Sequence, residues 1–156
     1  MAKRVFARAA RRPVDAAAEL ADQVEALLAR HCCDRLGLVR RAGAAVAGFD
    51  RVEEVLRAHK TAALFFAVDA AESGRRRLAA LGRDLPAAAV LTGAEMGGAF
   101  GRERVAHVSI GPGRLGAALL ADARRLCGFR AGATVVNGMA FAPARPERQD
   151  GGTEPT

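Results

Sequence analysis

Arginine is the residue whose type and placement offer this chain the most chemistry. Residues 1–14 carry Lys3, Arg4, Arg8, Arg11 and Arg12 with no acid among them, and Arg75-Arg76-Arg77 with Arg83 forms a second cluster. Twenty-four Lys and Arg against 17 Asp and Glu leave a formal charge of +7, and only Lys3 and Lys60 are lysines. A guanidinium grips phosphate through paired hydrogen bonds and stacks on bases, so such clusters are footprints for a polyanion. A GC-rich genome also favours Arg over Lys, so placement says more than the total.

Other spacings suggest chemistry but lack the context for it. Gly111-Pro-Gly113-Arg-Leu-Gly116 spells GxGxxG, the pattern of a dinucleotide-binding loop. It follows the last strand expected, so no further strand completes a βαβ unit, and no acid stands where one would hold a ribose. A tight turn into a helix accounts for these glycines and leaves a helix N-terminus beside Arg114, where a phosphate could rest. His31-Cys32-Cys33-Asp34 looks like a ligand cluster, but neighbours on a helix lie about 100° apart and scatter around the axis. With Cys127 the thiols are odd in number and show no CxxC spacing, which fits reduced, partly buried cysteines. His31, His59 and His107 stand alone, His107 within an apolar strand, and Ser73 and Ser109 occupy no nucleophile elbow. The sequence therefore assigns no catalytic residue, no cofactor-binding residue, no cofactor and no metal, and an enzyme is not expected.

Positioning these residues falls to alternating helices and strands. A chain of 156 residues suits one domain with short appendages. Half of it is apolar, mostly Ala, Val and Leu, with seven Phe and no Trp or Tyr, which suits helices packed closely on a sheet. No apolar stretch approaches the ~20 residues of a membrane span, and Met1 to Phe6 has a basic start without an apolar signal core. A cytoplasmic protein with no membrane partner is expected.

Pro13-Val14-Asp15 starts a helix, with Leu20, Val24, Leu27 and Leu28 on one face. It continues through Leu36 and Val39 to Arg40-Arg41, and Gly43 stops it. Ala45-Val46-Ala47 reads as a short strand, and Asp50 opens a helix with Val52, Val55 and Leu56 inward. Thr61–Asp69, TAALFFAVD, is an unbroken apolar run, the mark of a strand buried on both faces. A helix over 71–81, a strand over 87–91, a helix capped by Thr92, a strand over 104–110 and a helix over 112–126 follow. The tail from Ala142 offers nothing to bury and is expected to be disordered. The alternation predicts an α/β fold, a three-layer α/β/α sandwich.

The order of segments resembles a known family. Leu36-Gly-Leu-Val-Arg-Arg-Ala-Gly43, Val46-Ala-Gly48 and the helix through Leu56 resemble the ribosomal L-seven-Ae/L-thirty-e family. Its bacterial, YlxQ-like members often begin with an LGLARRAG-like helix. Val68-Asp69-Ala-Ala, Leu91-Thr92 and Met96-Gly97-Gly-Ala-Phe-Gly101 continue the likeness, the last being similar to the family's LGxAxG helix end. Val105–Ile110 and the final helix complete it, over roughly residues 33–128. Upstream, Phe6-Ala-Arg-Ala-Ala-Arg-Arg-Pro13 and its helix resemble the closing segment of the RNA-binding YlxR family. The resemblance implies a basic segment and helix over 1–32, an L-seven-Ae-like RNA-binding domain over 33–141 and a tail over 142–156. It also implies an L-thirty-e-like fold with a small mixed central sheet. The implied partner is RNA, ribosomal RNA included, with the ribosome or the transcription and translation machinery as its setting.

That family recognises kink-turn RNA through Gly-x-Asn-Glu-x-x-Lys at the first strand-to-helix junction. Here Gly48 matches the glycine, while Asp50 stands in place of Asn, Arg51 in place of Glu and Glu54 in place of Lys. An Asp only accepts hydrogen bonds where Asn also donates, and Glu54 repels the phosphate that Lys attracts. The family's second contact, a largely apolar loop before the last strand, falls on Arg102-Glu103-Arg104. Arg40, Arg41 and the basic N-terminal segment are expected to add phosphate contacts. RNA binding on this face is the expected function; the alternatives are a protein-interaction adaptor on the same fold, as its Gadd relatives show, or a nucleotide-binding enzyme using Gly111–Gly116.

Overall fold

The computed structural model describes residues 13–137; the basic cluster up to Arg12 and the expected disordered tail lie outside the described residues. Among the described residues, five helices and five strands alternate: α1 (Pro13–Arg41), β1 (Ala45–Ala47), α2 (Phe49–Arg57), β2 (Ala63–Phe66) and α3 (Glu72–Leu81), then β3 (Pro86–Ala89), α4 (Gly93–Ala99), β4 (His107–Ile110), α5 (Arg114–Cys127) and β5 (Thr134–Asn137). Proline at the first helical position starts α1, where its missing N–H costs nothing. The helix runs unbroken past residue 32, with Ala29, Cys32, Leu36 and Val39 buried along its second half.

The strands form one mixed sheet in the order β1-β4-β2-β3-β5. β4 lies antiparallel to both β1 and β2, β3 is parallel to β2, and β5 is antiparallel to β3. The apolar run in β2 has the reason expected of it, because side chains alternate between two buried faces. Phe65 joins Ala63, Val108 and Ile110 beneath α1, α4 and α5, through Leu36, Met96 and Leu119. Phe66 and Leu64 face α2 and α3, through Val52, Leu56 and Leu78. These two cores make the three-layer α/β/α sandwich. One expectation is corrected: β4 is not the last strand, since Thr134–Asn137 adds an antiparallel edge to β3.

The topology decides where function can gather. β1, β2 and β3 all point the same way, so their carboxyl ends share one end of the sheet. The N-termini of α2, α3 and α4 follow directly from them, and the loop into β4 returns there. β4 runs opposite, so Gly111 and the start of α5 lie at the other end.

Candidate functional site

The carboxyl end of the sheet begins at Gly48. Its amide donates to the carbonyl of His107 at 3.0 Å and its carbonyl accepts the Val52 amide at 2.9 Å, so it joins β4 to the first turn of α2. Gly48 caps α2 without a side chain, as Ala71 does α3, so two helix N-termini reach this end with no side-chain cap on their first amides. Asp50 and Arg51 are exposed on the first turn of α2, Glu54 is exposed one turn on, and Arg51 forms no ion pair among the described residues.

The loop before β4 folds back along α4. Gly97 lies so near the backbone of Arg102, Glu103 and Arg104 that a Cβ there would stand 2.6–2.8 Å from it. Arg104 is engaged rather than free. Its Nη1 donates to the Asp69 carboxylate and its Nη2 to the Asp69 carbonyl, each at 2.8 Å, while the Gly93 amide donates to the other carboxylate oxygen at 2.8 Å. The Arg104 hydrogen bond, then the Gly93 amide, hold the Asp69 pKa below the usual carboxylate range. Arg102 and Glu103 are exposed, and Arg102 forms no ion pair among the described residues.

Arg40 and Arg41 lie elsewhere. Arg40 places its guanidinium 5.7 Å from the centre of the Phe100 ring and reaches the Ala99 carbonyl at 3.5 Å. Arg41 lines a groove of about 400 Å³ between α1 and α4, with Cys33, Gly37, Leu38 and Gly98. Both arginines therefore stand at the C-terminal end of α4, a helix-length of ~10 Å from the Asp69–Arg104 pair at its N-terminus. The structure thus gathers Gly48, Asp50, Arg51 and Arg104 at one end of the sheet and leaves Arg40 and Arg41 along the flank.

Sequence reasoning missed Asp69 and Phe49. Asp69 ends the apolar run of β2, and a charge there was the available signal, but its partner lies 35 residues on. Phe49 carries Arg77 over its ring at 5.6 Å and lies edge-on to His107, with ring centres 5.7 Å apart. His107 Nε2 is buried without a hydrogen-bond partner among the described residues, and burial lowers the ring's pKa.

The histidine and cysteines of the 31–34 run diverge as helical geometry requires. Cys32 is in the core, Cys33 donates to the Glu95 carbonyl at 3.8 Å, and His31 turns toward Asp122. Burial pushes the Cys32 thiol up to about 12, with the charge of Cys33 and then of Asp122 and Glu95 adding to it, and pushes Cys33 up to about 11, with Glu95 and Asp34 adding, which favours the protonated thiol in both. At the far end of the sheet Gly113 caps α5, and a Cβ on Gly116 would stand 2.7 Å from Ile110, so these glycines turn the chain and seat a helix on a strand.

The fold and site define an α/β sandwich with strand ends, helix starts and the exposed Arg51 and Arg104 at one end of its sheet. No family model and no curated protein matches the chain. Among solved structures it is similar to a protein with unknown function from Bacillus halodurans C, at 17% identity and a TM-score of 0.50. That likeness covers 63% of this chain and 94% of the other, and it shows the fold alone. No described helix is long and apolar enough to cross a membrane.

Proposed function

We propose that this chain binds structured RNA in the cytoplasm, through the surface at the carboxyl ends of β1 and β2. The observation that carries the reading is α2's N-terminus without a side-chain cap beside the exposed Arg51, at the same end of the sheet as Arg104 at the start of α4. Backbone amides at a helix start and a guanidinium beside them attract the same ligand, a phosphate oxygen. The resemblance to L-seven-Ae/L-thirty-e proteins implies RNA contacts at this junction, and a ribosomal or other structured RNA is the ligand class it suggests.

Asp50 and Glu54 set a limit on specificity. Each puts a carboxylate where the family's kink-turn element has an amide or an ammonium, so readout of a kink-turn base by Asp50 is restricted to donors on the RNA. The reading is therefore of a binder that leans on phosphate contacts. Affinity for a kink-turn RNA and for an unbent duplex of the same length, measured across a salt series, tests it. The expected result is binding to both, weakening steeply as salt rises and reduced by Arg51→Ala and by Arg104→Ala. Undiminished affinity in both variants would remove this surface from the reading.

A further inference from the structure

Two charges of opposite sign stand at the two ends of the groove between α1 and α4. Asp34 and Arg41 are both exposed, and neither forms an ion pair among the described residues. They lie two turns apart on α1, a rise of about 10 Å, and bracket Gly37 and Leu38 on the same face. All four line the groove, and Gly98 and Ala99 of α4 form its other wall. Its walls are small. Arg41 lies over Gly37, its Nη1 4.0 Å from where a Cβ would stand, and Gly98 has nothing within 4 Å of that position. Leu38 is 44% exposed, an apolar side chain left at the edge of the groove.

The order Asp34, Gly37, Leu38, Arg41 is its own complement. A two-fold axis between Gly37 and Leu38 lays a second α1 antiparallel to the first. Each Asp34 then faces an Arg41 of the other copy, and each Leu38 faces a Gly37. An Arg41 drawn to the opposite carboxylate uncovers its own Gly37, and a glycine there admits the incoming leucine and a close helix approach. Charge selects this occupant over others. RNA would meet the carboxylate of Asp34, and a partner of either single sign would set a like charge against Asp34 or Arg41. A second copy satisfies both and covers both leucines. We infer that this flank of α1 is a self-association surface through which two copies of the chain form an antiparallel, two-fold dimer, independent of the RNA surface at the sheet end. Exposed ion pairs fix partner and register more than they add affinity, and the surface is small, so the dimer forms at roughly tens of micromolar.

The test is sedimentation of the full chain over a concentration series, with charge reversals at the two ends of the groove. The wild type should pass from monomer to dimer as concentration rises. Asp34→Arg and Arg41→Asp each set like charges together twice under the two-fold, so each variant alone should dimerise at least about tenfold more weakly. Mixed, the two variants should form a heterodimer, because each supplies the charge the other lacks. Both changes in one chain should restore the homodimer. Leu38→Ser should weaken the dimer by about tenfold, and circular dichroism should show the fold retained in every variant, since all three side chains are exposed. A chain that stays monomeric up to about ten times the expected dissociation constant would overturn the inference. So would a dimer that survives both reversals, which would lie elsewhere on the molecule, or a mixture no more associated than either variant alone. Leu38→Ser should leave RNA affinity unchanged, so failure of the dimer and failure of the RNA reading are told apart.

Discussion

Gly48 and His107 share one hydrogen bond, and each is held in a state the surface around it depends on. Gly48 has φ 101° and ψ 145°, a region side chains avoid. Gly48→Ala should therefore cost about 1–3 kcal/mol, read as a lower urea midpoint with an unchanged slope. The His107 ring lies edge-on to Phe49 and Phe66, with centres 5.7 and 6.0 Å away, and burial depresses its pKa from the usual 6.5. Below about pH 6.5 the unfolded chain takes up a proton that the folded chain resists, so this contribution is present at neutral pH and fades as the pH falls. Urea melts at about pH 7.5 and about pH 5.5 should show that loss in the wild type and a flatter profile in His107→Phe. Equal losses in the two proteins would assign the effect to other groups.

Among the elements, Arg130 ties together parts of the chain that do not otherwise share a strand or helix. From the α5–β5 connection it donates to Glu25 on α1 at 2.8 Å, to Glu95 on α4 at 2.6 Å and to the carbonyl of Val90 at 3.0 Å. Glu95 also completes a capping box with Thr92, its carboxylate accepting the Thr92 amide at 2.9 Å. Burial opposes the charge on Glu95, but Arg130 and the Thr92 amide outweigh it and lower its pKa. This stability is present above the usual carboxylate value of 4.5 and is lost as the pH falls through the lowered one. Arg130→Ala should cost roughly 1–3 kcal/mol, less than breaking a fully buried pair, since the Glu25 and Glu95 side chains keep 30% and 29% of their exposure. A thermal melt checks the value, and an unchanged midpoint would refute the tie.

None of these long-range ties is legible in the sequence, because a pairing between residues 35 or 105 positions apart leaves no local pattern. What is legible is whatever a period or a cap encodes. β2 announces itself by burial on both faces, α4 by Thr92 and Glu95, and α1 by proline at its start. β5 escapes the same reading, since it is four residues long and its Val135 and Val136 are only half-buried at the sheet edge. At the candidate site, the sequence singles out the positions of Gly48 and Arg51 only as an expectation from a resemblance, while Arg104's commitment to Asp69 emerges only in three dimensions.

At the scale of the whole molecule that commitment becomes a test of how the basic surface works. Arg51 and Arg102 are exposed and form no ion pairs among the described residues, so each is open to a phosphate. On the RNA reading proposed above, Arg104 would have to share its guanidinium between a phosphate and Asp69. Every phosphate left without its arginine should lower the slope of log affinity against log salt by roughly one, so Arg51→Ala and Arg102→Ala should flatten it by that amount with little change in stability. Arg104→Ala should weaken RNA binding and also loosen the junction between β2 and α4. Asp69→Asn separates those two effects. The amide oxygen still accepts the Gly93 N–H, but the carboxylate that competes for Arg104 is gone. RNA affinity should then rise, the salt slope should steepen, and Arg104→Ala in the Asp69→Asn background should cancel both gains. If Asp69→Asn weakens RNA binding instead, the ion pair is itself part of the surface that RNA meets, and Arg104 acts by holding Asp69 in place.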